Sequence, residues 1–255
     1  MELLDAALLL AAGFGAGVVN ALAGGGSLIT FPTLVAIGLP PVAANVTNSV
    51  AVTPGYLGSV AGSRADLADL AGRRSLVVLV PTAAIGSVIG CLVLLTTPER
   101  AFEVVVPFLV LGAAALIAFQ QRIRAVVLRR RGLSDPPSAP FLHLTVGLGA
   151  VYGGYFGAAL GVMLIAGLGL VLGETLAHTN ALKNAISAVV ALVTVVVFGL
   201  FGPVNWVAAA VVAATSLVGG YVGARLARWL PPRWLRAFIV TVGSGVGIVL
   251  LVHAF

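Results

Sequence analysis

The sequence predicts an all-α membrane protein: a polytopic helical bundle of two inverted repeats, with eight full spans plus two short or broken helices. Three observations carry that prediction. Of 255 residues, 60% are hydrophobic and only 9% charged, whereas a soluble domain carries about 25% charge. The apolar residues fall in runs close to the ~20 needed to cross a bilayer, separated by Gly, Pro and Arg. The order of those runs then recurs on either side of an arginine-rich stretch. Helices are the form such runs take, because hydrocarbon offers backbone N–H and C=O groups no other partner.

The remaining composition narrows the classes. A net charge of +6 would suggest nucleic acid in a soluble protein. Here the charge is nearly all arginine in short loops, which fits membrane orientation and argues against a nucleic-acid partner. Cys91 stands alone inside an apolar run, allows no intrachain disulfide and reads as a small packing residue. Ala21-Leu22-Ala23 resembles a leader cleavage site, but Glu2 and Asp5 precede it and no Lys or Arg does. The first segment is therefore expected to be retained.

In chain order, Leu3 to Leu22 is apolar and glycine-rich, and Gly24-Gly25-Gly26-Ser27 interrupts it. Leu28 to Leu39 is too short to span alone, and Pro40-Pro41 ends it. Val42 to Val60 follows, then a charged loop from Ser63 to Ser75, then Leu76 to Thr97 and Phe102 to Phe119. After the polar stretch from Gln120 to Pro140 come Phe141 to Ala159, a short Gly161 to Leu172, Thr179 to Phe201, Trp206 to Leu226 and Trp234 to Val252. Residues 1–121 thus form a first transmembrane repeat, 122–140 a basic cytoplasmic linker, and 141–255 a second repeat. Gly13-Phe14-Gly15-Ala16 matches Gly147-Leu148-Gly149-Ala150, as an internal repeat would. The basic loops lie at Arg64 to Arg74, Arg122 to Arg131 and Arg225 to Arg236. They share one side only if the halves are inverted, and that side is expected to be cytoplasmic.

Polar groups inside such a bundle are the functional candidates, since each is costly without a partner. Gly24, Gly25 and Gly26 disfavour regular helix and leave N–H groups open, while a helix restarts at Ser27. A helix start of that kind attracts anions; close helix packing through small residues is the competing reading. Asn45 and Asn48 are three apart, on one helix face. They line a substrate path or bond neighbouring helices. Lys183 is the sole lysine, and it sits among Asn180, Asn184 and Ser187. It serves as countercharge for a permeating anion or snorkels to the interface. His178 could titrate with cargo, although a loop histidine without a role is as good a reading. No His, Cys or acid spacing suggests a metal, no cofactor is implied, and no catalytic group is singled out. Trp206, Trp229 and Trp234 read as interfacial anchors.

At these residues the chain resembles the sulfite exporter TauE/SafE family. The matching pieces are Asn20 to Ser27 with Pro32, Ala44 to Asn48 with Pro54-Gly55, Gly154 to Gly157, Asn180 to Asn184, Gly202 to Trp206 and Gly219 to Leu226. Ala158-Ala159-Leu160-Gly161 departs from the family pattern, which has a further glycine there. The resemblance implies a multi-pass carrier of the bacterial inner (plasma) membrane for small anionic sulfur compounds such as sulfite or organosulfonates, usually exported. The site expected is the meeting point of the two polar helix starts: Gly24, Gly25, Gly26, Ser27, Asn45, Asn48, Asn180, Lys183 and Asn184. A channel for small solutes or ions, and a non-transporting membrane scaffold, are the alternatives; an enzyme is not expected. The partners expected are the anionic substrate and the bilayer, with a homo-oligomer left open.

Overall fold

The computed structural model describes residues 3–22, 25–62, 64, 67, 75–130, 139–172, 176–226 and 232–254. Eleven α-helices and no strand occur among them. In chain order they are α1 (Leu3–Leu22), α2 (Ser27–Ala36), α3 (Pro41–Ala51), α4 (Thr53–Gly62), α5 (Ser75–Thr96) and α6 (Glu99–Arg130), then α7 (Ala139–Tyr155), α8 (Leu160–Leu172), α9 (Leu176–Phe201), α10 (Trp206–Leu226) and α11 (Pro232–Ala254). The protein is an all-α membrane protein. Against eight predicted spans, four helices among the described residues are long and apolar enough to cross: Leu3–Asn20, Val78–Thr96, Glu99–Ile123 and His178–Phe201. The other apolar stretches, Ser27–Ala36, Leu160–Gly169, Trp206–Val222 and Ile239–Val252, are shorter.

Local chemistry sets the boundaries. Gly38 ends α2 with φ +92°, and Leu39 N–H reaches Leu34 O at 3.1 Å while Gly38 N–H reaches Val35 O at 2.9 Å. That paired closure needs a left-handed residue, which glycine supplies without strain. Pro41 then opens α3 at its first position, where its missing N–H costs nothing. Val42 to Val60, predicted as one segment, is divided at Val52. Pro54 is the reason, because it has no N–H for the carbonyl four residues back. Ala51 O, left over by this break, accepts Ser216 Oγ of α10 at 3.3 Å. The arginine-rich stretch begins as helix, since α6 runs on to Arg130.

The packing interleaves the two ends of the chain. α1 lies along α10, α5 along α7, and α6 along α11. Small residues allow the first two contacts: a Cβ on Gly17 would stand 2.2 Å from Ser216 O, and one on Gly154 would stand 2.2 Å from Ser87 O. Phe31, Phe102, Phe156 and Phe198 are fully buried between the helices. The outer faces are apolar as well, with Ile85, Leu92, Phe108, Leu148 and Leu200 exposed, as a lipid-facing surface requires. Trp206 is exposed at the start of α10, an interfacial position.

The α3–α4 pair runs antiparallel to α9. In the second half of α3, Thr47 Oγ1 accepts Asn205 N–H at 3.0 Å, just past the end of α9. Near the end of α4, Ser59 O accepts Asn184 Nδ2 at 3.4 Å, close to the start of α9. This register decides where the polar residues lie.

Candidate functional site

Both short helices begin at one cavity. Its wall includes Ser27, the first residue of α2, and Leu160, the first residue of α8, with Gly157 between α7 and α8. α3 and α4 contribute Ser49, Val52 and Tyr56, on both sides of the Val52 break, while α9 contributes Ser187, Ala191 and Thr194. The volume is about 20 Å³, counted as space for the centre of a water molecule, so a water-sized guest fits as it stands. No charged side chain lines it. The polarity comes instead from hydroxyls and from the N-terminal ends of α2 and α8, each carrying a fraction of a positive charge.

The first of these ends is fixed by Asn20 of α1. Its Oδ1 accepts Gly26 N–H at 2.8 Å, and Gly26 has no room for a side chain: a Cβ there would be 2.4 Å from Ala16 O. At Gly25 a Cβ would be 2.4 Å from Ile117 Cδ1. Gly24 lies outside the described residues. The second end is shaped by two left-handed residues, Gly157 at φ +73° and Ala159 at φ +60°. Tyr152 Oη donates to Ala158 O at 2.5 Å across that turn. Phe31 of α2 meets Phe156 edge-on, ring centres 5.4 Å apart, which fastens the two breaks to each other.

Three buried polar atoms have no partner among the described residues: Asn20 Nδ2, Asn45 Oδ1 and Ser187 Oγ. Ser187 is 1% exposed and lines the cavity. An unmet hydroxyl in such a place costs about 1–3 kcal/mol, a cost that a polar guest removes.

The predicted site residues do not form one cluster. Ser27 lines the cavity, while Gly25 and Gly26, just before it, pack against Ile117 and Ala16. Asn45 and Asn48 are buried in α3, where Asn45 Nδ2 donates to Tyr155 O at 2.8 Å and Thr30 Oγ1 donates to Asn48 Oδ1. Lys183 and Asn184 are buried in α9, and Asn180, one turn earlier, is exposed. At about 1.5 Å per residue, the antiparallel register puts Asn45 and Lys183 about 20 Å apart along the helix axes. The two polar helix starts therefore lie on opposite sides of the cavity. Ser49 and Ser187, the last polar residues of the two stretches, both line that cavity, so the stretches approach it from opposite directions.

Ser49, Tyr56, Ser187 and Thr194 complete the wall. For Ser187 and Thr194 the signal is spacing: they lie seven apart on α9, and Ser187 is three after Asn184 and four after Lys183. Outside the cavity, His143 Nδ1 and Thr82 Oγ1 are 2.7 Å apart, tying α7 to α5. Glu174, Asp66 and Asp69 lie outside the described residues.

A helical membrane bundle with a polar cavity between its broken helices has the form of a membrane transporter, and the chain's relatives bear that name. It is 27% identical to a "Probable membrane transporter protein" of Haemophilus influenzae over 241 residues, 92% of this chain and 89% of the relative. It is 30% identical to a "Probable membrane transporter protein ORF9" of a Sinorhizobium species over 250 residues, 96% of this chain and 92% of the relative. Residues 9–250 match the family described as "Sulfite exporter TauE/SafE". The chain belongs to that family. No solved structure matches it significantly.

Proposed function

We propose that the protein exports a small anion across the bacterial inner membrane, binding it in the cavity where α2 and α8 begin. The observation that carries this is the unpartnered Ser187 Oγ, buried in a wall that also holds two helix N-termini. Helices of 10 and 13 residues reach about 15 and 20 Å, against about 30 Å of hydrocarbon. They fit half-helices that start near the membrane's middle, an arrangement suited to anionic groups. Ser27, Ser49 and Ser187 replace hydration water, while Gly25 and Gly26 let the backbone approach. Asn45 and Asn48 flank the site on one side, and Asn180, Lys183 and Asn184 on the other.

The family name supports an anionic sulfur compound, sulfite or an organosulfonate, as cargo. An anion leaving a cytoplasm about 100 mV negative gains about 2.3 kcal/mol per charge, so outward flux needs no second energy source. The inverted-repeat reading, with residues 1–121 and 141–255 around a basic linker, is supported by paired contacts: α1 with α10 against α7 with α5. It is supported again by Ser216 Oγ on Ala51 O and Ser87 Oγ on Val190 O, both at 3.3 Å.

Ser187→Ala tests the site. A hydrogen bond to a charged guest is worth about 1.5–3 kcal/mol, so sulfite or methanesulfonate binding to purified protein should weaken about tenfold or more. Removing the unmet hydroxyl should leave thermal stability unchanged or higher. Unchanged binding with a Ser187→Ala protein that folds would overturn this assignment of the cavity, and flux without saturation or counterflow would favour a channel.

A further inference from the structure

From the position of Lys183 between the surface and the cavity, we propose that it is a capture residue rather than part of the binding site. It draws anions from the cytoplasmic face into the path and does not hold them once bound. This rests on the transport reading above.

Four observations carry it. Lys183 is buried, 9% exposed, yet it does not line the cavity. It stands one helical turn before Ser187, on the side of the cavity toward the start of α9, the direction in which helical side chains lean. Asn180, one turn further in that direction, is exposed, so α9 carries a polar stripe from the surface past Lys183 and Asn184 to Ser187. That end of α9 is level with the end of α4, through Asn184 Nδ2 on Ser59 O at 3.4 Å, and the loop after α4 carries Arg64, Arg73 and Arg74. A basic loop marks the cytoplasmic face.

No carboxylate pairs with Lys183 among the described residues. A buried cation raises the local concentration of passing anions and lowers the barrier to entry. The opposite side has a different character. There Asn45 Nδ2 on Tyr155 O, Thr30 Oγ1 on Asn48 Oδ1 and Asn205 N–H on Thr47 Oγ1 join helices to one another, and the residues making these bonds carry no charge.

The test separates capture from binding. Lys183→Gln and Lys183→Arg proteins are reconstituted in proteoliposomes, with labelled sulfite as probe, and equilibrium Kd and counterflow kcat/KM are both measured. Lys183→Gln should lower kcat/KM about tenfold while Kd moves less than about threefold, the range of a steering charge. Raising ionic strength should slow the wild type toward the Lys183→Gln rate and leave that variant unaffected, and Lys183→Arg should restore flux. A Kd that rises as far as kcat/KM falls would make Lys183 a binding countercharge and overturn the proposal. So would two unchanged constants, which would leave it a snorkelling lysine. If the wild type shows no saturable anion binding, the transport reading itself fails, independently of Lys183.

Discussion

Gly26→Ala probes the first helix break most directly. Gly26 has φ −58° and ψ −29°, a conformation alanine accepts, and in an open helix the change would stabilise by about 0.5–1 kcal/mol. The surroundings reverse that sign. The added methyl would sit 2.4 Å from Ala16 O and 2.9 Å from Asn20 Cγ, so α1 and α2 must part. Overpacking of this kind costs about 1–3 kcal/mol. Moving Asn20 also weakens its 2.8 Å bond to Gly26 N–H, worth about 1 kcal/mol more. The net loss should be about 1–3.5 kcal/mol. Thermal unfolding in detergent reads it, at about 2–4 °C per kcal/mol for a chain of this size, and anion binding should fall as the α2 start moves. Gly112→Ala is the control, since nothing lies within 4 Å of a Cβ there; it should be neutral or stabilising. If Gly26→Ala is as stable and as active as Gly112→Ala, the close approach of α2 to α1 is wrong.

Other outcomes follow from single residues. Ala159 has φ +60°, where a side chain costs about 1–2 kcal/mol. Ala159→Gly should hold or raise the unfolding temperature and Ala159→Val should lower it; the reverse order would contradict the left-handed turn. Asn45→Ala strips Tyr155 O of its donor and should cost about 1–3 kcal/mol, a loss that chemical unfolding in detergent would register. An undamaged variant would mean that this bond does not join the halves.

The sequence was most legible where solvent chemistry dominates. Hydrocarbon permits few backbone states, so composition and run length were enough for an all-α membrane fold, and Gly24-Gly25-Gly26 and Pro40-Pro41 marked the two ends of α2. Pro54 was visible too, but an apolar run surrounds it and hid the division at Val52. The polar residues were found by type, because a buried Asn or Lys stands out in such a chain. Their arrangement was not legible, since spacing along one helix carries no information about the direction of its neighbour. Asn45 and Lys183 looked like one cluster for that reason. Ser187 was visible in the polar cluster around Lys183, but its lack of a partner is something no linear pattern records.

The interleaving of helices has a consequence for how the chain can be divided. α1 is clasped by α10, and α7 by α5, so neither half encloses its own interior. A cut within residues 131–138 would yield two fragments that are each unfinished and mutually dependent. They should accumulate when synthesised in the same cell and be degraded when made apart. The molecule is a handshake rather than a pair of fists.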